Sequence, residues 1–210
     1  MRVNEHTKLI GNKIILVPYR EGHVAKYHAW MQDEELRCLT ASERLSLEDE
    51  YTMQQKWQSD QDKCTFIILN RSLLDCSGDE ASFLLSSLTK FNIFNYLALI
   101  IISMIGDVNI FIRDEIGELT TMIAESVWRR MGFGSEAIRM MLRYAIEVIG
   151  IRKFEVKISE NNTASQKFFQ KIGFKVASKC EKFHEYTLSV DYKSVLQIIA
   201  SSRMKYEIYP

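Results

Sequence analysis

The most constraining feature of this sequence is a strand that leads through a two-glycine loop into a long amphipathic helix. Glu118–Ala124 is a strand-like run, and Gly132 and Gly134 lie in the loop that follows it. From Gly134 to Ile149 the apolar residues recur three or four positions apart, which predicts a helix with one buried face. The first N–H groups of such a helix have no internal partner, and the helix dipole is positive there. We therefore expect an anionic group to bind where the helix begins.

Shorter patterns on both sides of this unit predict further strands and helices. Strands are predicted at residues 13–17, 65–69, 105–112, 154–158, 174–177 and 185–190. Helices are predicted at 21–39, 47–57 and 163–172, the last between an N-cap at Asn162 and a C-terminal Gly173. This mixed order predicts an α/β (α+β layer) fold with a mixed central sheet flanked by helices.

The spacing of the loop residues excludes two common phosphate-binding motifs. A P-loop requires Lys followed by Ser or Thr after its last glycine, and Gly134 is followed by Ser135 and Glu136. A dinucleotide-binding loop has three glycines in the pattern GxGxxG, and the third is missing after Gly134. The remaining pattern is Arg129-x-x-Gly132-x-Gly134 directly before a helix.

This pattern resembles the acyl-CoA loop of the GNAT acetyltransferases, which reads Arg/Gln-x-x-Gly-x-Gly/Ala. Residues 132–137 are similar to the ribosomal-protein N-acetyltransferase branch, and Asn162-x-x-Ser165 with Phe169 resembles the second motif of the family. Other blocks that resemble one member of this family lie at 39–43, 62–67, 106–109 and 122–125. The resemblance runs from the start of the chain to about Val190 and implies the GNAT fold, except at residues 84–103.

The resemblance also implies a set of residues that bind acetyl-CoA as cosubstrate. In the family the loop backbone holds the pyrophosphate, the asparagine contacts the pantetheine arm, and a backbone N–H polarises the thioester carbonyl. Carried over to this chain, the binding residues are Met122, Ile123, Arg129, Arg130, Met131, Gly132, Phe133, Gly134, Ser135, Asn162, Ser165 and Phe169.

The implied reaction is attack of a neutral amine on the acetyl thioester. Amines of proteins must first lose a proton, since their pKa values lie near 8 for the α-amine and near 10.4 for lysine. Glu118, at the start of the strand, is the expected base and acts through water. Many relatives protonate the leaving thiolate with a tyrosine where this chain has Phe169, so Tyr186, Ser165 or solvent replaces it, or catalysis is impaired.

The charge balance and the cysteine positions limit which ligands and which compartment we expect for this protein. Lys+Arg and Asp+Glu both number 27, which gives no support for binding nucleic acid. The four cysteines are scattered and no histidine stands at metal-ligand spacing, so we expect no metal. The first residues lack an apolar signal region, and reduced thiols fit a reducing compartment, so we expect a cytoplasmic protein.

The composition changes abruptly within residues 71–104, which we interpret as an atypical apolar insertion in a domain of residues 1–190. Phe83–Ser103 carries Lys90 as its single charge, and the uncharged part from Phe91 is too short for a membrane span. We expect a buried hairpin, strand or helix there. Residues 191–210 are expected to form a C-terminal tail that includes a helix.

The sequence therefore predicts an N-acetyltransferase that moves an acetyl group from acetyl-CoA to an amine of a protein or peptide, at an N-terminus or a lysine. Arg130 and Met131 replace the usual Gly-Lys of the family loop, and Phe169 replaces its tyrosine. These departures keep open a second hypothesis, a catalytically weak CoA-binding scaffold that acts through a protein partner.

Overall fold

The computed structural model describes residues 2–75, 93–200 and 202–209. Within these ranges nine strands form one mixed sheet in the order β7-β8-β6-β5-β4-β3-β2-β1-β9. The strands are β1 (Thr7–Ile10), β2 (Ile14–Pro18), β3 (Lys63–Asn70), β4 (Met104–Arg113), β5 (Ile116–Ile123), β6 (Lys153–Ser159), β7 (Lys175–Cys180), β8 (Glu185–Val190) and β9 (Lys205–Ile208). The predicted mixed central sheet is confirmed.

Helices cover both faces of this sheet. They are α1 (Val24–Trp30), α2 (Glu34–Thr40), α3 (Leu47–Ser59), α4 (Arg71–Asp75), α5 (Ile93–Ser103), α6 (Phe133–Tyr144), α7 (Thr163–Ile172) and α8 (Tyr192–Ala200). One core packs α6, α7 and α8 against the sheet, and we call this side the α6 face. A second core packs α1, α3 and α5 against the opposite side, the α1 face.

Local sequence signals account for the two helices that follow the loop and β6. Helix α6 begins after Gly132 and continues into a π-helical turn, Ala145–Ile149, which ends at Gly150 with φ of 86°. Helix α7 begins at the residue after Asn162, whose Oδ1 accepts from the Ser165 amide over 3.0 Å. Its bounds are the predicted ones, since side-chain capping and a terminal glycine define both ends.

The expected insertion and tail have the following structure. Within residues 71–104 the structure contains α4 and α5, and α5 packs Ile100 into the α1-face core. The part of the predicted apolar segment between residues 83 and 92 lies outside the described residues. After Val190, the chain forms α8 and then β9, which pairs antiparallel with β1 at the sheet edge. Among the helices described, none is both long enough and apolar enough to span a bilayer.

Candidate active site

Strands β5 and β6 separate shortly after they begin to pair. They run parallel, but their register extends only from Ile116↔Lys153 to Glu118↔Glu155. The remainder of β5 stays with β4, which approaches closely: a Cβ at Gly106 would lie 1.9 Å from the Met122 carbonyl oxygen. Only glycine permits this approach. The result is a wedge-shaped opening between the carboxyl ends of two parallel strands.

One backbone amide near the end of β5 faces this opening. Ala124 donates its N–H to the Ile105 carbonyl oxygen over 2.9 Å, toward β4. Because successive amides of a strand point to opposite sides, the Ile123 N–H points toward β6 and the Met122 N–H toward β4. Of the two donors predicted from the sequence, Ile123 is therefore the one oriented into the opening.

The predicted loop has the geometry of an anion cradle. Arg130 and Gly132 both adopt left-handed backbone conformations, with φ of 61° and 89°. The first hydrogen bond of α6 is donated by the Glu136 amide to the Gly132 carbonyl over 3.1 Å, so the amides of residues 133–135 precede it. Arg130, Met131 and Gly132 are exposed, which leaves this helix start accessible to a ligand.

Two cationic side chains beside the loop, Arg129 and Lys13, form different contacts with it. The guanidinium of Arg129 folds back and donates to the carbonyl oxygens of Ile123 and Ala124 over 2.9 and 3.1 Å, which fastens the loop to β5. Lys13, from the β1–β2 turn, donates its Nζ to the Met131 carbonyl oxygen over 2.9 Å. This Nζ lies 3.5 Å from the position of a Cβ on Gly132. Sequence reasoning missed Lys13, because no local signal connects it with residues more than a hundred positions later.

The second predicted motif is placed around α7. The Asn162 side chain is buried, and both of its polar atoms form hydrogen bonds. Its Oδ1 accepts from the Ser165 amide, and its Nδ2 donates to the Leu39 carbonyl oxygen over 3.1 Å. Phe169 is buried in the α6-face core and packs edge-on against Phe174. Its neighbour Phe168, which the sequence did not single out, lies 3.4 Å from the Cβ position of Gly134. Phe168 therefore brings α7 against the start of α6.

The two predicted acid–base residues lie apart. Glu118 sits at the last paired position of β5, where its Oε2 accepts from the Lys157 Nζ over 2.5 Å. This hydrogen bond raises the pKa of Lys157, and Glu155 adds to the effect. Tyr186 lies on β8 opposite Ile158, one strand away from the opening, and packs against the α6-face core. The structure brings Glu118 to the opening and leaves Tyr186 to one side.

A buried polar cluster lies on the α1 face beside Met122. Asp107 is the register partner of Met122, and its Oδ2 accepts from the Tyr27 hydroxyl over 3.2 Å and from the Asn109 Nδ2 over 3.0 Å. Burial raises the pKa of the Asp107 carboxyl, while these hydrogen bonds and the nearby Lys63 act in the opposite direction. Burial also lowers the pKa of Lys63 to about 7. No sequence pattern indicated this cluster.

These features together suit a long ligand with a phosphate group and an acyl end. Backbone amides at a helix start with cations nearby are the kind of group that binds a phosphate, and here Arg130 is exposed and Lys13 contacts the Met131 carbonyl oxygen. The β5–β6 pairing ends at Glu118, and a free strand amide beyond this point is the kind of donor that polarises a carbonyl. Within the described ranges no three His, Cys, Asp or Glu side chains are grouped as a metal site would need, and the expected absence of a metal stays a prediction.

Comparison with known protein families gives a match over most of the chain. A family model described as acetyltransferase (GNAT) domain matches residues 13–175. The human alpha/beta-tubulin-N-acetyltransferase 9 is 42% identical over 195 residues, covering 90% of this chain and 84% of the relative. The N-acetyltransferase 9-like protein of Nematostella vectensis is 40% identical over 204 residues, covering 95% and 93%. The family resemblance of the motifs is thereby confirmed.

Solved structures have the same architecture at much lower identity. A spermidine N-acetyltransferase from Vibrio cholerae, solved with CoA and spermine, superposes with a TM-score of 0.66 at 13% identity, covering 88% of this chain and 98% of that one. A GCN5-related N-acetyltransferase from Brucella melitensis also gives a TM-score of 0.66 at 13% identity, with coverage of 92% and 82%. At this identity the likeness concerns the fold.

Proposed function

The chain belongs to the GNAT family and is an N-acetyltransferase, and from that premise we propose that it transfers the acetyl group of acetyl-CoA to an amine of a protein. The observation that carries this proposal is the pairing of an open cradle at the start of α6 with a wedge between β5 and β6. A cradle alone would suit many anions. The wedge leads from it to a backbone amide, as a thioester on a long arm requires.

Each end of the donor is assigned to residues of this chain. The amides of Phe133, Gly134 and Ser135 would bind the pyrophosphate, with Arg130 and Lys13 supplying positive charge. Met131 occupies a position that is basic in the family, and the Lys13 ammonium group lies at that residue's carbonyl oxygen. Lys13 therefore offers a cation from a different part of the chain.

The reaction needs a deprotonated amine, a polarised carbonyl and a stabilised leaving group. Glu118 would accept the proton of the incoming amine through water, and Lys157 holds its carboxylate at the edge of the wedge. The Ile123 N–H would bind the oxygen that becomes negatively charged as the amine attacks. The thiolate of CoA leaves readily because thiols ionise near pH 8.5. Tyr186 lies one strand away, so we assign the final protonation to solvent.

The acceptor in this proposal is a tubulin amine. Relatives from human and Drosophila melanogaster, at 42% and 41% identity, carry tubulin in their names. This chain spans 84% and 88% of the two relatives, so most of their length is represented. The cytoplasmic location and the independence from metal and nucleic acid remain part of the proposal.

The direct test is acetyl transfer from labelled acetyl-CoA to purified α/β-tubulin, with peptide mapping of the product by mass spectrometry. We expect one or a few acetylated amines that depend on the intact Gly132 loop. A chain that binds acetyl-CoA but labels neither tubulin nor any peptide amine would contradict the assignment of the acceptor and favour a binding scaffold. The burial of Phe169, where relatives have a tyrosine, is the observation that keeps the scaffold as a second candidate.

A further inference from the structure

A cavity on the α1 face is lined by the buried carboxyl group of Glu50, whose Oε2 accepts no hydrogen bond from the described residues. It has a volume of about 270 Å³, and the residues that line it include Tyr27, Met31, Glu50, Met53, Trp57 and the exposed Glu43. An engineered apolar cavity of about 150 Å³ is large enough for benzene. This cavity therefore has room for a long side chain.

Glu50 gives the cavity its chemical character. Its side chain is 1% exposed, and Oε2 has no hydrogen-bond partner among the described residues. His28 would pair with Glu50 when its ring is protonated, since its Nδ1 lies 4.0 Å from Oε1. A buried carboxyl group without a partner is costly, and burial raises the pKa of Glu50 accordingly. A cation that entered the cavity would offset this cost.

The walls suit the aliphatic part of such a cation. Met31 and Met53 are unbranched and adaptable, and Tyr27 presents an aromatic ring to the same space. The ring of Trp57 already has the Lys63 ammonium group above it, 2.7 Å from its centroid, and the charge of Lys63 acts on Asp107. Lys63 is therefore engaged outside the cavity, and Oε2 of Glu50 remains available to a cation that enters it.

Two residues connect the cavity with the proposed acyl position. Tyr27 lines the cavity, and its hydroxyl donates to Asp107, which pairs with Met122 across β4 and β5. Paired residues of antiparallel strands have Cα atoms roughly 5 Å apart. An acceptor whose amine reaches the neighbouring Ile123 would extend a long adjacent side chain toward the α1 face, where this cavity lies.

We propose that the cavity is a specificity pocket that binds a basic side chain next to the reacting amine and pairs it with Glu50. This inference rests on the proposed function, since it concerns the acceptor of the same reaction. The proposed occupant of the pocket is a lysine or arginine side chain of a peptide. Spermine presents the same alkyl cation from a small molecule and serves as a comparison in the test.

The experiment measures kcat/KM for otherwise identical peptides that carry Arg, norleucine or Glu beside the reacting amine, at an N-terminus or at a lysine. The wild type should prefer Arg over norleucine by roughly 10- to 100-fold, the range expected for a charge-assisted hydrogen bond. Glu50→Gln preserves the shape and removes the charge, so it should abolish that preference. In the same variant, kcat/KM for the norleucine peptide and the Kd for acetyl-CoA should change by less than about twofold, which is the deviation expected for sites that do not interact.

Glu48→Gln, at an exposed position of the same helix, is the matched control and should keep the preference. Equal loss of activity on all peptides in Glu50→Gln would mean a structural role and would overturn the pocket, as would a wild type without preference for Arg. Acetylation of spermine but of no peptide would overturn the peptide assignment. If acetyl-CoA binds but nothing is acetylated, the proposed function fails and the pocket fails with it.

Discussion

The Tyr27 hydroxyl donates to Oδ2 of Asp107 over 3.2 Å, and this bond joins helix α1 to strand β4 below the proposed acceptor site. Tyr27 is buried and lines the cavity together with Glu50, whereas Asp107 pairs with Met122 near the end of β5. This hydrogen bond therefore lies between the proposed acyl position and the proposed specificity pocket.

Tyr27→Phe should lower both stability and acetyl transfer, because it leaves the Asp107 carboxylate with one fewer donor. A buried polar group that loses its partner costs about 1–3 kcal/mol, to be measured by denaturant unfolding. Tyr192→Phe, at a half-buried position in the first turn of α8, is the control and should change the free energy of unfolding by less than about 0.5 kcal/mol. An unchanged stability in Tyr27→Phe would contradict the importance of this bond.

Lys63→Met should alter how stability depends on pH. The pKa of Lys63 is lowered to about 7 in the folded chain from its usual 10.5, mainly by burial. Between these values the unfolded chain holds a proton that the folded chain has lost, so stability rises with pH. The cost of burying the charged Lys63 ammonium group is fully present below pH 7. In that range the variant should therefore be more stable than wild type by more than about 1 kcal/mol. Denaturant titrations at pH 6.5 and 9 should show a smaller difference between variant and wild type at the higher pH, because pH 9 lies between the two pKa values, and parallel profiles would refute this.

Lys13→Met should weaken acetyl-CoA binding while leaving the fold intact. The substitution removes the ammonium group at the Met131 carbonyl oxygen and keeps most of the aliphatic length. Because one charge-assisted contact is lost at an exposed position, we expect a Kd increase on the order of fivefold. Lys8→Met, at the ion pair with Glu207 on the sheet edge, is the control and should leave the Kd unchanged.

Glu118→Gln should reduce turnover strongly without affecting cofactor binding. If Glu118 is the base, kcat should fall about 100-fold or more, whereas the Kd for acetyl-CoA stays the same. Glu155→Gln tests whether any loss of charge near Lys157 has this effect, since Glu155 lies 3.6 Å from the same ammonium group. A similar loss in both variants would assign Glu118 to holding Lys157 in position.

The sequence predicted the elements that are defined by local signals. Helix α7 was predicted with its observed bounds because Asn162 caps its start and Gly173 ends it. The loop was predicted because two glycines and a helix start lie within a few residues. Strands β1 and β9 were missed, since each has only four residues, and β9 is an edge strand in which every side chain is exposed. Edge strands of this kind lack the alternating apolar pattern on which strand prediction depends.

The parts of the site that escaped prediction depend on contacts between distant segments. Lys13 and Met131 are 118 positions apart, and Tyr27 and Asp107 are 80 apart. Neither pair has a sequence pattern, because each forms only when the sheet brings its strands and helices together. Glu50 looked like an ordinary charge in the first turn of α3, and it is buried where α3 lies beside His28 of α1.

The central claim is that the loop at the start of α6 binds acetyl-CoA, and isothermal titration of acetyl-CoA into the purified protein tests it most directly. The account predicts one binding site per chain. It also predicts that binding is lost when Gly132→Trp and Gly134→Trp are combined, because the indole rings would cover the loop amides and Gly132 has a φ of 89°. Absence of binding to the intact protein, or equal binding to the double variant, would contradict it.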